Sequence, residues 1–204
     1  MKIRALRIPD SYELTPDQHT DDRGVFLEWF ARDHFEETTG HSLALAQANC
    51  SVSARGVVRG VHFADVPPGQ AKYVTCVAGQ VMDVIVDLRI GSPTFGQWET
   101  VRLDDVDRRA VYLAPGLGHA FIALSERATT TYLCSEQYNR GREHGIHPLD
   151  ADVGIGWPND VEVLLSPKDA AAPGLREAER QGLLPSYDAC RAMYASRRGA
   201  VSSG

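Results

Sequence analysis

A chain of 204 residues is long enough for one domain with a substantial core. Its 43% hydrophobic and 24% charged residues exclude a disordered or collagen-like chain, and no run nears the roughly 20 apolar residues of a membrane-spanning helix. With 21 Lys and Arg against 27 Asp and Glu the net charge is −6, which argues against general nucleic-acid binding while leaving room for a local basic pocket that takes a small anion.

The first residues, Met1 to Pro9, carry early charges without the apolar core of a secretion signal, so a cytoplasmic protein is expected. A helix is predicted over Arg32 to Thr39, ended by Gly40. From about residue 43 to residue 135 the chain reads as short strands punctuated by turns such as Pro67-Pro68-Gly69, Ala78-Gly79 and Pro115-Gly116. Residues 43–54 alternate Ala44, Ala46, Ala48, Cys50 and Val52 with Gln47, Asn49, Ser51 and Ser53. That polar row suits either an outer sheet face or the lining of a polar pocket. Gln80 to Leu88 also alternates, with Met82, Val84, Val86 and Leu88 opposite Val81, Asp83, Ile85 and Asp87. Strands at this spacing predict an all-β sandwich or small barrel. Gly174 to Gln181 and Asp188 to Arg197 read as helices packed outside it, and Arg198 to Gly204 as a fraying end. The absence of repeats and linkers predicts a single domain over 1–185, with 186–204 as a C-terminal helix and tail.

The four cysteines never form a Cys-x-x-Cys pair, and three stand in apolar runs, so they read as free, small hydrophobes in a reducing compartment. Among the seven histidines, His19, His34 and His41 stand among charged residues and are expected at the surface. His62, in Arg59-Gly60-Val61-His62-Phe63, and His119, after Pro115-Gly116-Leu117-Gly118, open on apolar strands. Taken alone, a histidine in such a setting is more often structural than functional. A cupin-type metal site would need His-x-His and a following Glu. Ala64 stands two residues after His62, and no suitable Glu precedes Gln70, so no metal is expected. Arg23, Arg59 and Lys72 are cations in otherwise apolar or turn-like segments, suited to holding a phosphorylated ligand where no Gly-rich phosphate loop exists. Strict alternation points Arg59 and His62 to opposite faces, so they share a pocket only if Gly60 introduces a bulge or a sharp twist. Tyr132 could be an ordinary strand aromatic, and Asp169 the N-cap of a helix.

These segments together resemble the dTDP-4-keto-6-deoxyhexose 3,5-epimerase family of deoxysugar biosynthesis. The resemblance is carried by Asp22-Arg23-Gly24-Val25-Phe26, Gln47-Ala48-Asn49-Cys50-Ser51, Gly56-Val57-Val58-Arg59-Gly60-Val61-His62-Phe63 and Gln70-Ala71-Lys72-Tyr73-Val74. It continues through Val84-Ile85-Val86-Asp87-Leu88-Arg89, Gly91-Ser92-Pro93-Thr94-Phe95-Gly96, Gly118-His119-Ala120-Phe121 and Ser166-Pro167-Lys168-Asp169. It implies an all-β, cupin-type jelly-roll β-barrel with short flanking helices, working without metal or other cofactor. It also implies a homodimer in which an N-terminal strand completes the partner's sheet, with no nucleic-acid or membrane partner.

By the same resemblance His62 is the base, Asp169 its orienting carboxylate and Tyr132 the opposing acid; Lys72, as a fixed charge in a dry pocket, is the candidate for stabilising the enolate oxygen. Arg23, Phe26, Glu28, Gln47, Asn49, Arg59, Lys72, His119, Tyr138, Glu143 and Lys168 would contact the nucleotide sugar, which makes the polar row pocket lining. The implied reaction is inversion at C3 of dTDP-4-keto-6-deoxyglucose, with or without C5. A cupin 3,4-ketoisomerase and a non-catalytic nucleotide-sugar-binding module are the competing readings.

Overall fold

The computed structural model describes residues 1–201, with side chains through Arg197; the end expected to fray, Arg198 to Gly204, lies outside the described side chains. In chain order the elements are β1 (Lys2–Ala5), β2 (Ser11–Thr15), β3 (Gln18–Asp21), β4 (Gly24–Leu27), α1 (Arg32–Thr39), β5 (Gln47–Ala54), β6 (Val58–Ala64), β7 (Lys72–Ala78) and β8 (Gln80–Asp87). They continue with β9 (Trp98–Asp104), β10 (Ala110–Leu113), β11 (Leu117–Ala123), β12 (Arg127–Cys134), β13 (Glu143–Gly145), α2 (Pro167–Ala170), α3 (Leu175–Arg180) and α4 (Tyr187–Val201). Helix α1 has the predicted bounds. It stops because Gly40 turns left-handed at φ +68° and returns its N–H to the Glu36 carbonyl.

The strands form three antiparallel sheets, in the orders β1-β2-β10-β7-β12-β5, β13-β6-β11-β8-β9 and β3-β4. This corrects the expectation of an all-β closed jelly-roll barrel. Closure requires the outermost strands to pair with each other. Here β1 and β5 end the first sheet, and β13 and β9 end the second. The sheets are open and four helices join them, so the fold is a mixed α/β one. Alternation in a sequence reports which residues share a face of a strand; it carries no information on whether a sheet closes.

The two large sheets face each other across a core that takes Val74 and Cys76 from β7, Val111 and Leu113 from β10, Val81 and Ile85 from β8, and Phe121 from β11. The opposite face of the five-stranded sheet is covered too: Val84, Val86 and Leu88 pack with Ile146, Val153, Leu175 and Ala178 from the C-terminal segment. Burial on both faces explains why β8 carries apolar side chains on each of them, Val81 and Ile85 on one and Val84 and Val86 on the other. A third cluster fastens α1 and α4 to the six-stranded sheet through Phe35, Tyr73, Tyr112, Cys190 and Tyr194.

Arg89 anchors the same corner. Fully buried, it donates to both Asp87 oxygens at 2.9 Å, to Asp10 at 2.7 Å and to the Pro9 carbonyl at 3.0 Å, and its guanidinium lies over the Tyr187 ring. Ser92 and Thr94 donate to Asp87 as well, each at 2.6 Å. His41, expected at the surface, is buried in this corner among Tyr12, Tyr112 and Tyr194, 3.3 Å from Asp10. Cys76, Cys134 and Cys190 are buried and Cys50 is exposed; all four are free.

Candidate active site

A cavity of about 410 Å³ opens between the two large sheets. From the five-stranded sheet it takes Arg59 and His62 of β6 and His119 of β11. Lys72 of β7 and Tyr132 of β12 enter from the six-stranded sheet, and Lys168 and Asp169 from α2.

Arg59 and His62 reach the same cavity because β6 bulges. In its ladder with β11, His62 stands opposite His119 and Arg59 opposite Phe121, so β6 holds one residue more than its partner. The extra residue resets the alternation and turns both side chains to one face. Gly60 makes this possible. Its φ is +113°, and a Cβ there would lie 2.4 Å from the His119 carbonyl oxygen and 2.8 Å from Ala120 Cα, so any larger residue collides with backbone.

His62 Nε2 lies 2.7 Å from Asp169 Oδ1. The carboxylate is an acceptor, so Nε2 carries the proton and Nδ1 is the basic nitrogen of the neutral ring. Asp169 is in turn fixed by Ser166, whose hydroxyl donates to Oδ2 at 2.8 Å while accepting the Asp169 backbone N–H at 3.0 Å. Ser166 is the N-cap of α2 and Asp169 its third residue, so the cap role considered for Asp169 belongs to Ser166. Sequence reasoning passed over Ser166 as a support of the site, although Ser-Pro-x-Asp is a legible helix start.

Burial pushes the His62 imidazole below its ordinary 6.5; Asp169 opposes that shift, and the charges of Lys72 and Lys168 add to it. Burial alone would raise the Asp169 carboxyl, but the hydrogen bond and charge of His62, with help from Ser166 and Lys168, hold it below the ordinary carboxylate value. Burial raises the Tyr132 phenol above its usual 10, so it keeps its proton at neutral pH. His119 Nε2 is 2.7 Å from Oδ2 of Asp83, a fully buried carboxylate on β8 that sequence reasoning noted but gave no role.

The remaining predicted contacts fall elsewhere. On β5 the polar row points inward and Ala48, Cys50 and Val52 point out. Gln47 accepts the Tyr138 backbone N–H at 2.8 Å and donates to Asn49 at 2.9 Å, and Asn49 stands beside Tyr132 in the β5–β12 ladder. Tyr138 and Glu143 line a second cavity of about 420 Å³. Arg23, Phe26 and Glu28 are on or just after the exposed β3–β4 hairpin, outside both of these cavities: Arg23 pairs with Asp21 at 2.5 Å, and Phe26 and Glu28 border a small recess with Met1, Asp17 and His19. Among the described residues, no three His, Cys, Asp or Glu side chains converge to hold a metal ion. Nor is any helix long and apolar enough to cross a membrane.

The sequence profile of dTDP-4-dehydrorhamnose 3,5-epimerase matches residues 5–177. A dTDP-4-dehydrorhamnose 3-epimerase of Streptomyces niveus is 58% identical over 193 residues, covering 95% of this chain and 93% of the relative. A dTDP-4-dehydrorhamnose 3,5-epimerase of Mycolicibacterium smegmatis is 55% identical over 203 residues, covering 99% and 100%. The crystal structure of a 4-keto-6-deoxy sugar epimerase from the novobiocin gene cluster of Streptomyces spheroides superposes with a TM-score of 0.91 at 59% identity, over 93% of this chain and 95% of that one. With one family matched across most of its length, by sequence and by fold alike, this chain belongs to the dTDP-4-dehydrorhamnose 3,5-epimerase family.

Proposed function

We propose that the chain is an isomerase that epimerises dTDP-4-keto-6-deoxyglucose at C3, with or without C5, using His62 as base and Tyr132 as acid. The observation that carries this reading is that the two groups enter one cavity from opposite sheets. Inverting a carbon needs proton removal on one face and return on the other, and two facing walls supply that arrangement.

A C–H beside the C4 ketone is acidic because the carbanion delocalises as an enolate. His62 takes the proton at Nδ1. The imidazolium formed is stabilised by Asp169, an acceptor already aligned at 2.7 Å. Lys72, from the facing sheet, meets the negative oxygen with a charge fixed in place before reaction. Tyr132, protonated at neutral pH, returns a proton to the opposite face of the ring. Arg59 and Lys168 hold the diphosphate at the same cavity, and Tyr138 and Glu143 at the second cavity contact the nucleotide end.

The enzyme works as a homodimer in this reading. Arg23, Phe26 and Glu28 do not reach the cavity of their own chain, and a second copy would bring them to it. β1 pairs with β2 of its own chain and lies at a sheet edge, open to a partner strand. The outward row Ala48, Cys50 and Val52 offers an apolar face for the second copy. The proposal extends to one catalytic unit over 1–185, a cytoplasmic location suited to free thiols, and no cofactor.

Relatives named as 3-epimerases and as 3,5-epimerases are nearly equally similar, and the base and acid serve both outcomes. Incubating the protein with dTDP-4-keto-6-deoxyglucose in deuterated water and reading the product by NMR tests the function. Deuterium at C3 is expected. Label at C5 as well marks the double epimerase, and no label at either carbon overturns the reading.

A further inference from the structure

Asp83 is an ionisable residue that the reaction scheme leaves unused. It stands on β8 between Val81 and Ile85, both in the apolar layer between the sheets, and none of it is accessible to solvent. A carboxylate taken out of water there costs several kcal/mol unless partners offset the loss, roughly the penalty per buried ion after relaxation. One oxygen, Oδ2, accepts from His119 Nε2 at 2.7 Å. The other, Oδ1, is buried without a hydrogen-bond partner among the described residues. For stability alone an apolar side chain of similar volume would serve as well or better.

What the carboxylate adds is direction. By accepting from Nε2 it fixes the tautomer and plane of the His119 ring, leaving Nδ1 as the nitrogen with which that ring meets a ligand. His119 borders the cavity and stands opposite His62 in the β6–β11 ladder. Side chains so paired lie close, so a molecule in contact with one ring is within reach of the other.

We propose that Asp83 is a positioning residue of this site: it holds His119 through Nε2 so that Nδ1 is presented to the bound sugar nucleotide. The proposal rests on reading the cavity as the substrate site. One arm of its test is independent of that reading. Nitrogen-15 NMR of the free wild-type protein, at a pH where the ring is neutral, reports the His119 tautomer. Protonation at Nε2 is expected, and an Nδ1–H ring overturns the proposal.

The second arm is a double-mutant cycle on kcat/KM. Asp83→Asn should lower it about 10- to 100-fold, the order of loss when a carboxylate behind a metal-bound histidine is removed. In a His119→Asn background the same substitution should change it by less than about threefold, since its route of action is already gone. An Asp83→Asn enzyme that keeps wild-type kcat/KM overturns the proposal, and so does an undiminished loss in the His119→Asn background, which would assign Asp83 to stability alone. If the Asp83 variants do not fold, the wild-type tautomer decides. A wild-type protein that shows the expected tautomer but no turnover refutes the functional reading, not the assignment of the Asp83–His119 pair.

Discussion

His62 and His41 both face an aspartate, at 2.7 Å and 3.3 Å, in the same small protein. His62 keeps 31% of its side chain accessible, borders a cavity, and shares Asp169 only with the neutral hydroxyl of Ser166 and the nearby charge of Lys168. His41 keeps 4%, is enclosed by three tyrosine rings, and shares Asp10 with the fully buried Arg89. One pair can exchange a proton with a bound molecule; the other can only hold β2, α1 and α4 together. An imidazole beside a carboxylate is therefore no sign of catalysis until access is known, and each experiment below is aimed at that contrast.

The largest effect is expected at the open pair. Replacing His62 with Asn removes the base while keeping a polar side chain of similar reach. Solvent deuterium incorporation should fall by about 10³-fold or more, toward the upper part of the range for a lost general base. Residual exchange near the wild-type rate would move the base elsewhere and erase the distinction between the two histidines. Tyr132→Phe comes next. It removes the acid and leaves His62 untouched, so inversion should drop by about 10² to 10³, within the range for general acid–base groups, and proton removal by less. Equal losses in both would count against Tyr132 as the donor.

Asp169→Asn should cost less, about 10- to 100-fold by analogy with carboxylates that orient a metal-bound histidine. It also makes a signed prediction about pH. His62 must be neutral to act, so kcat/KM falls as pH drops through its pKa, and burial places that limb below 6.5 in the wild type. Asp169 works against burial by favouring the imidazolium. Removing its charge should therefore move the acid limb to lower pH while the plateau declines. A limb that stays put, or moves up, would belong to another group. Tyr132, held above 10, contributes no alkaline limb below that pH.

These residues were legible to different degrees. The resemblance named His62, Tyr132, Asp169, Arg59, Lys72, His119 and Lys168, and they line one cavity. The demand that Gly60 bulge was visible in the sequence, because alternation alone separates Arg59 from His62. The bulge itself was not, since it depends on the register against β11. Asp87, Arg89, Ser92 and Thr94 helped carry the resemblance, yet they form a buried network away from the cavity; a shared motif marks a shared architecture as readily as a shared reaction. His41 was misplaced because its neighbours in sequence are polar, whereas its burial comes from Tyr112 and Tyr194, far along the chain. Sheet closure was misjudged for a related reason: pairing of the outermost strands is a long-range property with no local pattern.

The smallest effect on rate, and the sharpest check on the contrast, is expected at His41. His41→Phe keeps a ring within the tyrosine cage and removes the contact with Asp10, while Arg89 still compensates that carboxylate at 2.7 Å. Stability, read from urea unfolding, should fall by no more than about 1 kcal/mol, the net worth of one polar contact, because His41 Nε2 makes no hydrogen bond among the described residues and Asp10 keeps its pairing with Arg89. kcat/KM should stay within about threefold of wild type, because His41 is enclosed by Tyr12, Tyr112 and Tyr194 and borders none of the cavity. A large fall in kcat/KM with stability intact would mean that the closed pair communicates with the cavity. Its route would then run through Asp10 and Arg89 to Asp87 on β8, the strand that also carries Asp83 behind His119.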